Sequence, residues 1–73
     1  MDMRKLVGLN VRRLRIARQL TQEQFAERSG FSQQYISDLE RGRRNPTIVS
    51  LYELACALDA LPVDLLSTSD DSS

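Results

Sequence analysis

The sequence predicts an all-α fold: one domain of five helices over residues 1–66, followed by an acidic tail over 67–73. Apolar residues recur at spacings of three and four, the period of a helix that buries one stripe. Ser, Thr and Gly punctuate those stripes where helices start and stop. More specifically, two short helical patterns meet across one tight turn between Thr21 and Arg41, which is the outline of a helix-turn-helix.

The first helix is expected over 3–18. Val7, Val11 and Leu14 form its inward stripe, Arg12 and Arg13 point outward, and Leu6, Leu9 and Ile16 add apolar surface beside or off the stripe. Thr21 opens the second helix, 22–29, because its hydroxyl can accept from the free amides of the first turn while Gln24 reaches back as a capping box. Phe25 and Ala26 face inward, and Gly30 supplies the permissive backbone needed past the helix end. Phe31 plugs the turn.

Ser32 caps the third helix, 33–41, which stops at Gly42. Ile36 and Leu39 share its inward side with Glu40 close by, and Gln34, Ser37, Asp38 and Arg41 cluster opposite. Residues 42–46, GRRNP, read as a loop. Thr47 caps a fourth helix, 48–59, with Leu51, Leu54, Ala55 and Leu58 on one face. Pro62, at a favoured first helical position, opens a brief fifth helix, 62–66, carrying Val63, Leu65 and Leu66. The final STSDDSS has no apolar residue and two acids, the composition of a disordered tail.

Residues 7–66 resemble the lambda-repressor-like, Cro-like helix-turn-helix family, also called the xenobiotic-response-element family of bacterial regulators. The resemblance is carried by Leu20-Thr21-Gln22 entering the first motif helix, Ala26 at the close helix contact, Gly30 in the turn and Ser32-Gln33-Gln34 entering the second helix. Ile36-Ser37, Leu39-Glu40-Arg41-Gly42 and Asn45-Pro46-Thr47 complete the run in register. It implies a compact five-helix DNA-binding domain with the motif at helices 2 and 3, and a partly buried ion pair between Arg15 and Glu40. Gln19 stands where the family usually has glycine. This departure places a non-glycine residue in a left-handed turn, at a cost of about 1 kcal/mol.

Seventy-three residues allow a modest core, so stability leans on tight helix packing or on oligomerisation. No apolar run is long enough to span a bilayer, and the start lacks the pattern of a secretory signal, so a cytoplasmic protein with no membrane partner is expected. Cys56 is the one cysteine and there is no histidine, which leaves no internal disulfide and no zinc site of ordinary ligand spacing. With no phosphate-binding glycine loop either, no catalytic residue, metal, cofactor or small-molecule substrate is expected.

The net charge is zero, yet residues 1–44 hold all ten basic groups against five acids, a net of +5, and residues 45–73 carry five acids and no base. A basic half containing the motif is the electrostatic footprint of phosphate contact. Gln22, at a helix N-terminus, suits a phosphate oxygen, a role the family also implies. Gln33 can bridge to Gln22 and touch a base, while Gln34, Ser37 and Asp38 are the expected readers, Gln34 of adenine. Asp38 either accepts from a cytosine amino group or holds a neighbouring arginine. Tyr35 either reaches a phosphate or packs on the helix flank. Arg41, Arg43 and Arg44 can reach phosphates or a minor groove, or remain solvated in their loop.

One reading helix covers few base pairs, so a homodimer on double-stranded DNA is expected, with half-sites about 34 Å apart. Leu61, Val63, Leu65 and Leu66 are its candidate interface; the alternative is that they cap the monomer core. A sequence-specific transcriptional regulator, of repressor or controller type, is the expected function. A protein-interaction module that keeps the fold without DNA binding stays open at this stage, with Asp38 and the zero net charge as its support. Phage repressor, restriction-modification controller and antitoxin roles are not separated by these residues, nor is repression from activation.

Overall fold

The structure, a computed structural model, describes residues 2–68. Five helices follow in order: α1 (Met3–Ala17), α2 (Gln22–Ser29), α3 (Gln33–Glu40), α4 (Ile48–Ala57) and α5 (Pro62–Leu66). There is no strand among the described residues. α1 packs on α3 and α5, α2 on α3 and α4, and α4 on α5, so every helix donates one face to a shared centre.

The helix starts follow the expected chemistry. Thr21 accepts from the Gln24 amide and Gln24 Oε1 accepts in return from the Thr21 amide, each near 3 Å. Ser32 and Thr47 accept from Tyr35 and Ser50. Asp2, which the sequence reading did not use, caps α1 through the Arg4 amide, and the Asp64 carboxylate accepts from the Leu61 amide at the start of α5. Each such cap satisfies a donor that the helix itself leaves free, at typically about 1 kcal/mol.

Three helices end short of the expected bounds, at Ala17, Glu40 and Ala57 rather than at 18, 41 and 59. The reason is a shared termination. Gln19 and Leu20 return amides to Ile16 and Arg15, Gly42 and Arg43 to Leu39 and Asp38, and Asp59 and Ala60 to Cys56 and Ala55. This paired pattern is a Schellman motif, which needs a left-handed residue. Gln19 (φ 61°), Gly42 (φ 77°) and Asp59 (φ 54°) take that place. The departure at Gln19 therefore has the predicted consequence, whereas the equivalent strain at Asp59 escaped the sequence reading. α2 ends on Gly30 at φ 84°.

Val11, Phe25, Ile36, Leu39, Leu54, Leu58 and Leu65 are fully buried, each such side chain contributing about 1.5–3 kcal/mol relative to exposure. Leu65 is thus a correction. It faces the monomer core at 0% exposure and is withdrawn from the candidate interface, whereas Leu61, Val63 and Leu66 are 64%, 58% and 42% exposed. A five-residue helix laid on α1 and α4 must turn one residue inward, and that residue is Leu65. Ser67 also departs from the expectation of a tail that begins there: its hydroxyl donates to the Val63 carbonyl at 2.7 Å. Residues 69–73 of that expected tail lie outside the described residues.

Two small residues set how α1 sits. At Gly8, an added Cβ would fall onto the Leu39 carbonyl oxygen and 3.0 Å from that of Glu40, so α1 and α3 touch backbone to backbone. Asn10 is wholly buried and its amide donates at 2.9 Å to the carbonyls of both Leu65 and Ser67. These carbonyls close α5, and Asn10 gives the buried Leu65 carbonyl a side-chain partner.

Candidate nucleic-acid interface

The motif is held from beneath by one carboxylate. Arg15 of α1 donates to Glu40 through Nε to Oε2 at 2.6 Å and Nη2 to Oε1 at 3.0 Å, a two-pronged geometry that suits a guanidinium. Their side chains are 11% and 4% exposed. Arg15 Nη1 also donates to the Leu20 carbonyl at 2.8 Å, tying in the turn before α2. The pair implied by the family resemblance is therefore present and buried. Such a pair sets geometry more than net stability.

Gln22 joins this network, its Nε2 donating to Glu40 Oε1 at 3.1 Å. The expected bridge from Gln33 to Gln22 is absent: the Gln22 amide is engaged by Glu40, and Gln33 is exposed at the start of α3 with no side-chain hydrogen bond among the described residues. Glu40 thus links three helices at the base of the motif, and Gln22 Oε1 and its second N–H have no hydrogen bond among the described residues.

On α3, Gln33 and Gln34 are exposed and Ser37 and Asp38 half-buried, opposite the buried Ile36 and Leu39. Gln34 Nε2 donates to Asp38 Oδ1 at 3.0 Å. Neither of the two roles expected for Asp38 includes this partner. Its nearest side-chain engagement is with the glutamine one turn earlier, and it forms no ion pair among the described residues.

Tyr35 packs along the helix flank, one of its two expected roles. Its ring stacks on Phe31 at 4.7 Å between centroids and 16° between planes, and the Arg44 guanidinium lies over the same ring at 4.7 Å. A loop cation is thereby held by a cation–π contact. Phe31, expected to plug the turn, and Arg44, expected either to reach DNA or to stay solvated in its loop, are brought together on the ring of Tyr35. Their spacing of four between Phe31 and Tyr35 was the available signal. Arg41 and Arg43 are exposed on the same exit.

The ten basic groups do not all serve one surface. Arg15 is inside the domain, Arg18 donates to the Leu58 and Asp59 carbonyls, Arg28 pairs with Asp59 at 3.5 Å, and Arg13 donates to Asn10 at 2.6 Å. The cations gathered at the end of α3 are Arg41, Arg43 and Arg44. No helix among the described residues is long and apolar enough to cross a membrane.

The helix-turn-helix family HTH_3 matches residues 11–66, an interval containing all of the residues from Arg15 to Arg44 described above. The chain belongs to this helix-turn-helix family. It is 61% identical over 72 residues to an uncharacterized HTH-type transcriptional regulator, y4dJ, of Sinorhizobium fredii, spanning 99% of this chain and 94% of that one. It is 42% identical over 67 residues to the control protein C.SmaI of Serratia marcescens, spanning 92% and 80%. The restriction-modification controller protein C.Esp1396I, solved as a tetramer with its natural 35 base-pair operator, superposes with a TM-score of 0.81 at 31% identity, over 89% of this chain and 86% of that one. This HTH_3 member is a DNA-binding transcriptional regulator, with α2 and α3 as its motif.

Proposed function

We propose that this regulator acts in the cytoplasm as a homodimer that places each α3 in a major groove of a palindromic operator, as a repressor or controller-type autoregulator. The observation that carries this reading is the Glu40 network, which anchors the motif so that the polar side of α3 faces outward with Gln22 beside it.

In this arrangement Gln22, at the N-terminus of α2, holds a phosphate, where free backbone amides also point. Gln33, Gln34 and Ser37 face base edges. Arg41, Arg43 and Arg44 neutralise phosphates at the exit of α3, and Tyr35 supports Arg44 from beneath. Two copies are required because a single α3 is only eight residues long and reaches few base pairs.

The exposed apolar residues Leu61, Val63 and Leu66 support a contact between copies, joined by Ile48, Val49 and Tyr52 at 86%, 65% and 58% exposure. Ile48 and Leu66 line one cleft together with Met3, Pro46 and Leu51. C.Esp1396I, seen as a tetramer on its operator, supports assembly of copies on DNA.

Selection from random duplexes at two salt concentrations, combined with sedimentation of the free protein, tests the reading. The expected result is a palindrome with half-sites about one helical turn apart, binding that weakens steeply with salt, and a dimer in solution. Binding absent at low salt would overturn it.

A further inference from the structure

Gln34 and Asp38 stand one turn apart on the outward side of α3, joined by the bond from Gln34 Nε2 to Asp38 Oδ1. A carboxylate facing DNA phosphates is repelled, and a surface bond between helix neighbours adds little stability. The consequence of the bond lies in what it does to Gln34. A free glutamine amide can turn over and present either its carbonyl or its NH2 to a given side. A carboxylate only accepts, so Asp38 draws the NH2 group to its own side and leaves Oε1 on the other.

One N–H is then used by Asp38, while the second N–H and Oε1 stay available. Together they form the donor–acceptor pair that matches adenine, which offers N7 as acceptor and N6–H as donor. Guanine offers two acceptors, N7 and O6, and with the amide held this way one of them meets Oε1, oxygen against oxygen. We propose that Asp38 is a specificity-determining positioning residue: it contacts no base but holds the Gln34 amide in the orientation that accepts adenine and rejects guanine. This rests on the DNA reading above and assigns the chemistry of one base pair within each half-site.

The test is selection from random duplexes with the wild-type protein and with Gln34→Ala, Asp38→Ala and Asp38→Asn, each checked for helical content by circular dichroism. The wild type is expected to select an A·T pair that Gln34→Ala no longer selects. Asp38→Ala should lower the adenine-over-guanine preference at that same pair by roughly fivefold or more, the lower end of what a bidentate contact supplies, while binding to non-specific duplex holds or rises as a negative charge is lost. Asp38→Asn, whose amide donates as well as accepts and so pairs with either end of the Gln34 amide, should also lower the preference although it keeps the size of the side chain, a result that a packing defect would not give.

An unchanged adenine preference in Asp38→Ala overturns the inference alone, as does loss of a cytosine preference at a different pair, which would make Asp38 a direct reader. A wild-type protein that enriches no site overturns it together with the DNA reading.

Discussion

The Gln22 amide and the Glu40 carboxylate are joined at 3.1 Å, and the same carboxylate oxygen also receives Arg15 Nη2 at 3.0 Å. A residue at the start of α2, proposed above to hold a phosphate, is thus set by the residue that ends α3, which in turn is held by Arg15 of α1. In the proposed function, placement on the DNA backbone and orientation of α3 would therefore depend on one carboxylate.

Removing that charge leaves Arg15 buried without a counter-ion. Glu40→Ala is therefore expected to lose about 3–5 kcal/mol of stability, read as a fall in Tm of more than roughly 10 °C for a domain of this size. Gln22→Ala keeps the ion pair and should leave Tm nearly unchanged while weakening binding to all duplexes alike. A Glu40→Ala protein as stable as wild type would refute the role given to the pair.

Gly8→Ala places a methyl group onto backbone atoms of Leu39 and Glu40, which cannot step aside as a flexible side chain would. We expect a loss of about 1–3 kcal/mol or more from overpacking, although alanine is the better helix former. Urea denaturation decides the sign: stabilisation would mean that α1 and α3 separate without cost.

Asn10→Ala strips the partners from two carbonyls at the end of α5 and from Arg13. Of these only the Leu65 carbonyl is buried, and leaving it unpaired costs about 1–3 kcal/mol. The amides after Leu65 should exchange faster with solvent than in the wild type, and equal protection would show that α5 docks by its apolar side alone.

Arg44 is held over Tyr35, so its loss and the loss of its support should both weaken DNA binding, but with different salt dependence. Arg44→Ala is expected to lower the slope of log affinity against log salt by about one unit. Tyr35→Leu keeps the cation but frees it, and should weaken affinity with the slope nearly intact. Identical slopes for Arg44→Ala and wild type would remove Arg44 from the phosphate contacts.

Leu65 and Val63 are neighbours on α5 with opposite surroundings. Leu65→Ala should cost about 2–5 kcal/mol through the cavity it leaves, measurable on dilute protein. Val63→Lys should spare the monomer and shift sedimentation from dimer toward monomer. Should the Val63→Lys protein remain dimeric, α5 would not be the contact between copies.

Much of the fold was legible because local chemistry and tertiary packing agree. Thr21, Ser32 and Thr47 can cap helices without knowing their neighbours, and Val7, Val11, Phe25, Ile36, Leu39, Leu54 and Leu58 declare their faces through helical period. Arg15 and Glu40 lie 25 positions apart, a distance over which no periodic signal runs; their pairing came from family resemblance and not from the residues themselves.

Interactions that depend on where a helix end meets another helix were not legible. Asn10 reads as a polar residue on a mostly inward face until α5 brings its last carbonyls to it. Leu65 looked as available as Val63, because a helix of five residues is too short for its period to distinguish inside from outside.

The sequence by itself determined the five helices, the caps at Thr21, Ser32 and Thr47 and the identity of the outward residues on α3, since these follow from local hydrogen bonding and from which side chains avoid water. Only the tertiary structure decided that Glu40 holds Gln22, that Phe31, Tyr35 and Arg44 stack, and that Arg13, Arg18 and Arg28 are spent on other partners. Those outcomes depend on close approach between segments distant in the chain, where bonds of about 3 Å form or fail according to packing that no local pattern records.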